Sequence, residues 1–183
     1  EAQSIAQNLS YTVNVVEDAE LTRAQADAAD GVYISRGAQQ GDLLTEVRNT
    51  TSGVAIAEPG LWDFFGLAQG IVDSEDDDLD IIDDTHAVAD GFSNGTLKAT
   101  SGEQTLYAID GSVTTIPGAD VIATINKDAD AWAVVAAEQG ASIANGRIAP
   151  GRRITIPWTD SSKLSADGKT LLNQIIEWAE GSR

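Results

Sequence analysis

Apolar positions in the first 70 residues fall into short runs of β type that alternate with longer helical ones. Ile5 and Leu9, four apart, predict the end of a helix over residues 1–9, and the alternation that follows predicts a strand over 11–16. Residues 22–29 read as an Ala-rich helix, 31–35 as a second strand, 42–48 as a short helix and 53–57 as a third strand of small and branched residues. Strands separated by helical segments at this spacing point to βα units around a mostly parallel sheet. Such a domain usually opens on a strand, whereas this pattern opens inside a helix. A strand just upstream of Glu1, in the same chain or donated by a neighbour, is therefore expected.

The middle of the chain is less regular. Leu61, Trp62, Phe64, Phe65 and Leu67 predict a helical turn with aromatic anchors, and the run from Asp73 to Asp84 reads as a solvated acidic loop from which Leu79, Ile81 and Ile82 emerge as a short strand. Dense turn residues between Gly91 and Gly118 predict an antiparallel hairpin of 95–99 with 105–109, and three further strands follow at 119–125, 131–138 and 152–156. The last element is the clearest: Ser165 caps a helix whose Leu171, Leu172, Ile175, Ile176 and Trp178 form one apolar face and which Gly181 ends. The pattern as a whole predicts one α/β domain over residues 1–183, flavodoxin-like in layout, with an antiparallel excursion in its second half.

Composition narrows the setting. The chain has 183 residues, 42% of them hydrophobic, enough for one such core. Nineteen Asp and ten Glu against seven Arg and four Lys give a net charge of −18, which argues against binding nucleic acid or anionic lipid. An acidic surface of this kind suits salty water or the outside of a cell, where ions screen its self-repulsion. There is no Cys, so disulfides, a thiolate nucleophile and Cys-ligated metal are excluded, and no run of about 18 apolar residues is present to cross a membrane. A chain that starts at Glu1 and contains no Met reads as processed or as an excerpt of a longer protein. Asn8, Asn49 and Asn94 each open an N-glycosylation pattern, a short and weakly specific motif.

The strand and turn from Val54 through Ala57 to Glu58 and Pro59, the segment from Leu61 to Leu67, and the run from Thr85 through His86 to Gly91 and Phe92 resemble the class I glutamine amidotransferase-like superfamily. Within it the chain is most similar to trehalose-utilisation-type (ThuA-like) domains. The ending from Arg152 to Trp158 and the helix to Trp178 look alike too, so the resemblance covers residues 1–180. A His-Pro-x-x-x-Gly-Leu pattern is common there; Ala87 stands here for the Pro and Phe92 for the Leu. The resemblance implies a flavodoxin-like three-layer sandwich, and a module that recurs beside carbohydrate-binding or immunoglobulin-like domains in large secreted bacterial proteins. The superfamily's amidotransferases use a nucleophilic Cys, so that activity is excluded.

In open α/β sheets ligands lie beyond the carboxyl ends of the strands. Glu58, straight after an apolar strand, is a candidate general acid or base; capping the following helix or pairing with Arg36 is the structural alternative. Ser35 is a candidate hydroxyl nucleophile, and the only histidine, His86, would have to serve as its base, with Asp83 or Asp84 to orient it. The resemblance implies instead that His86 opens a turn. Arg36, Trp62, Trp158 and Asp160 are candidate ligand contacts, whereas Trp132 and Trp178 sit in core-like patterns. Asp76, Asp78 and Asp80 alternate as ligands for a hard cation such as Ca²⁺ would, without the Gly and Glu of an EF-hand. No other cofactor is expected.

The functional expectation is a non-catalytic structural or binding module of a large secreted or cell-surface protein. Its partners would be neighbouring domains or subunits, with carbohydrate as a candidate ligand. The alternatives are a sugar-acting hydrolase or isomerase of ThuA-like type and a self-assembling extracellular structural protein.

Overall fold

The computed structural model describes residues 11–39 and 45–182. Its elements, in chain order, are α1 (Arg23–Asp27), β1 (Gly31–Ile34), α2 (Thr45–Arg48), β2 (Gly53–Ile56), α3 (Trp62–Phe65), β3 (Ile71–Asp76), β4 (Asp78–Ile81), β5 (Gly95–Lys98), β6 (Gln104–Asp110), β7 (Ala119–Thr124), β8 (Ala131–Ala137), β9 (Arg153–Thr155) and α4 (Ala166–Glu180). Thr22 starts α1 with a capping box, its hydroxyl accepting from Gln25 N while the Gln25 side chain accepts from Thr22 N.

One mixed sheet runs in the order β1-β2-β9-β8-β7-β4-β5, with β6 joined to β8 and carrying β3 on its outer side. The parallel pairs are β1–β2 and β2–β9; the pairs made by β3 to β8 are antiparallel, so the antiparallel second half is the larger part of the sheet. β2 lies between two parallel neighbours and is buried along its whole length, which is why its sequence is apolar without alternation.

Two apolar clusters, one on each side of β2, make a three-layer α/β sandwich. Ala55 of β2 and Ala57, the residue after the strand, pack in one cluster with Ile154, Val134, Leu79 and the Leu171, Leu172, Ile175 and Trp178 side of α4. Val54 and Ile56 face Ala26, Val47, Trp62, Phe64 and Phe65 from the three short helices. α4 is terminated as its sequence predicts: Ser165 Oγ accepts from Gly168 N at 3.0 Å, and Gly181 closes the helix at φ +95°.

Three expectations need correction. Residues 11–16 form no strand; Val15 is 71% exposed, and the segment is held by Tyr11 Oη donating to Glu180 and by Asp18 accepting from Gln39 N. Its β-branched pattern supplies propensity, but among the described residues no strand pairs with it. The acidic run is not a loop: residues 71–76 form β3, paired in register with β6 from Ile71↔Ile109 to Asp76↔Gln104, and the short strand expected at Leu79 and Ile81 is β4. An edge strand tolerates carboxylates because half of its side chains stay in water, and charge there discourages further pairing. Finally, β5 and β6 exist but do not pair with each other; β5 pairs β4, and β6 pairs β3 and β8. The connection between them is taken by the approach to α4, where Ser165 N donates to Ala99 O and Ser101 N to Lys163 O. The helix expected at 1–9 and residues 42–44 of the next one lie outside the described residues.

Candidate functional site

The carboxyl ends of the parallel strands bring together the segment after β1, with Ser35, Arg36 and Gly37, and the segment after β2, with Glu58, Pro59 and Gly60. Ala57 N donates to Ile34 O at 2.8 Å and continues the pairing up to Glu58. Glu58 then caps a 3-10 turn over Pro59–Leu61, with Pro placed where no amide donor is needed. Its Oε1 accepts from Gly60 N at 3.2 Å, and its Oε2 accepts from Gly37 N at 2.8 Å. Arg36 Nη1 stands 3.6 Å from Oε1, and the guanidinium lies 5.0 Å from the centre of the Tyr107 ring on β6. Both oxygens of Glu58 are thus engaged by the two loops, and the carboxylate ties the end of β1 to the end of β2.

His86 is elsewhere. It caps the 3-10 turn Ala87–Ala89, its Nδ1 accepting from Val88 N at 3.2 Å, and its ring centre lies 5.6 Å from that of Trp178. Trp178 belongs to the last turns of α4, where the neighbouring Ala179 sits on Gly53, the first residue of β2. Arg152, which stacks over Trp178, directly precedes β9. His86 is therefore at the amino ends of the parallel strands and Glu58 at their carboxyl ends, with the four residues of β2, roughly 13 Å of strand, between them. Burial holds the His86 imidazole below its ordinary range, against the pull of Asp120, Asp83 and Glu138. Ser35 is exposed after β1, at the Glu58 end, so no Ser-His pair forms.

The two tryptophans expected to contact a ligand are in the core. Trp62 is fully buried with Nε1 donating to Ile56 O at 3.0 Å, and Trp158 is 2% exposed within the cluster under α4. Neither offers a face to a sugar. Trp178 is core as expected, and Trp132 packs half-buried on the opposite face. Asp160 caps the turn Ser161–Lys163, accepting from Ser162 N and Oγ, and these bonds hold its carboxyl below the usual range.

Asp76, Asp78 and Asp80 do converge, on a cavity of about 250 Å³ whose remaining lining is Thr96, Asn126 and Lys127. Asp80 is nearly buried; its Oδ1 accepts from Thr96 Oγ1 at 3.0 Å and its Oδ2 from Lys127 N at 2.8 Å. Asn126 and Lys127 present themselves there because the β7–β8 turn holds both at positive φ, 57° and 55°. Among the described residues, the carboxylates whose oxygens lie within 4.8 Å of one another are Asp76, Asp77 and Asp78, so Asp77 replaces Asp80 in the set that could share a cation. Asp77 is also paired with Lys98. Burial and the adjacent Asp77 push the Asp78 carboxyl up. Oxygen donors alone suit a hard cation. Tyr107, Thr96 and Asn126 were not legible as site residues, since long-range pairing brings them in; only the Asn126 turn carries a local signal.

No family model matches the chain, and no curated protein does. Among solved structures it is similar to a cytoplasmic protein from Salmonella typhimurium, at a TM-score of 0.55 and 11% identity over 97% of this chain and 78% of that one. At that identity the likeness shows the α/β fold alone.

Proposed function

We propose that the chain is a non-catalytic structural or binding module of a larger secreted or cell-surface protein, of the ThuA-like kind its motifs resemble. The observation that supports this reading is the separation of Glu58 from His86, each consumed as a cap within its own turn. A hydrolase or isomerase needs an acid or base and its partner within about 3 Å of one reacting atom. The acidic, Lys-poor surface favours a salty or extracellular setting. Neighbouring domains are the partners this reading assigns, and carbohydrate is its ligand class.

The test uses the purified chain against a panel of soluble sugars and aryl glycosides, with binding read by calorimetry and turnover by product release. The expected result is no turnover, and any sugar binding unchanged in Glu58→Gln and His86→Ala. Turnover that disappears in Glu58→Gln, with the fold intact, would overturn the reading in favour of the enzyme.

Assembly by strand addition remains the second reading, because β1 pairs on one side only among the described residues. Sedimentation at increasing concentration separates it: a concentration-dependent particle larger than 19.2 kDa supports assembly.

A further inference from the structure

The turn Ala87–Ala89 is docked on α4. Val88 and Ala89 are fully buried in the cluster that α4 covers, and Gln174 Nε2 donates to Asp90 O at 2.6 Å just beyond them. Ala89 N donates to His86 O at 2.8 Å and closes the turn along the backbone, and His86 Nδ1 adds a side-chain cap by accepting from Val88 N at 3.2 Å. A ring nitrogen accepts only while it carries no proton; in the imidazolium both nitrogens are donors. The cap therefore exists with the neutral ring, its proton on Nε2, and is lost when Nδ1 takes a proton from solvent. The capping carboxylates and hydroxyls elsewhere in the fold, such as Asp160 and Ser165, have no such change near neutral pH.

Charged groups face the ring from each element around it. Asp83 comes from its own loop, Asp120 from β7 and Glu138 from the end of β8; these favour the cation. Arg152, over the Trp178 ring of α4 and bonded to Glu138, opposes it. Burial against Trp178 outweighs the carboxylates.

We propose that the His86 turn is a pH-operated latch: the neutral imidazole caps the turn and holds it on α4, and protonation in mildly acidic solution uncaps it and releases Val88 and Ala89 from the helix. The closed form accepts only the neutral ring, whereas the open form titrates at the ordinary histidine value of about 6.5. The opening equilibrium then rises by up to tenfold for each pH unit below about 6.5.

Amide exchange at Val88 and Ala89, corrected for intrinsic rates, tests this between pH 7.5 and 5.0 in the whole chain. His86→Asn keeps an acceptor for Val88 N without titrating. Protection that falls with acid in the native chain and stays level in His86→Asn is the expected result; parallel profiles would overturn the proposal. The native chain also gives a control of its own, the Ile175 amide inside α4. Loss at Val88 and Ala89 alone supports the latch, and equal loss at Ile175 shows general acid unfolding and refutes it.

Discussion

Gly53, at the start of β2, lies under the carbonyl of Ala179 in the last turn of α4, where a Cβ at position 53 would come 1.6 Å from that oxygen. The first turn of α4 is seated the same way, since a Cβ on Gly168 would come 1.9 Å from Ala99 O. Both ends of this 15-residue helix thus approach bare backbone. Gly53→Ala and Gly168→Ala are each expected to cost at least about 3 kcal/mol, because a backbone atom cannot give way as a side-chain tip can. The midpoint of denaturant unfolding measures it, and a loss below about 1 kcal/mol would show that α4 can shift on the sheet.

Glu58 is predicted to matter for stability. Glu58→Ala removes acceptors from Gly37 N and Gly60 N and is expected to cost about 1–2 kcal/mol, with Glu58→Gln costing less because one oxygen remains. Arg36→Ala, which loses a partly solvated pair and a ring contact, should cost about 0.5 kcal/mol. Equal losses in all three would contradict this ranking.

Asp27 couples α1 to the entry of β2. Hydrogen bonds from the Thr50 hydroxyl and Thr51 N, with Arg23 adding its charge, hold its carboxyl at about 2. A folded value below the unfolded one of 3.8 gives a contribution present above pH 3.8 and lost as pH falls toward 2. Between pH 4 and 2 the native chain should therefore lose stability more steeply than Asp27→Asn. Thermal unfolding across that range checks it.

Salt is expected to stabilise the chain. With a net charge of −18 and Asp76, Asp77 and Asp78 crowded together, raising NaCl toward 1 M, where screening acts within about 3 Å, should raise Tm. Asp78→Asn, which removes a carboxyl disfavoured by burial and by Asp77, should raise Tm at low salt by about 1–2 °C and shrink the gain from added salt. A lower Tm in this variant would mean that the charge is used, as a cation ligand would use it.

Where a signal is local the sequence was readable. The Ser165 cap, the apolar face from Leu171 to Trp178 and Gly181 form α4 as read, and the apolar run 53–57 forms β2. The site was less so. Asp76, Asp78 and Asp80 do line one cavity, where the chain passes from the end of β3 into β4. Trp62 was misread because a tryptophan beside a turn gives no sign of whether its ring points inward, and here Nε1 finds the Ile56 carbonyl inside the core.

The sequence by itself determined the caps of α4, most strands, the acidic surface and the exclusion of thiol chemistry, since each depends on residue type and spacing over a few positions. The tertiary structure alone decided which strands pair, that the acidic run joins the sheet, with β3 at an edge, and that residues 11–16 do not. It also decided that Glu58 and His86 lie at opposite ends of β2. Pairing partners and strand direction depend on contacts between residues far apart in the chain, and a pattern read along one segment carries no record of which other segment satisfies its backbone.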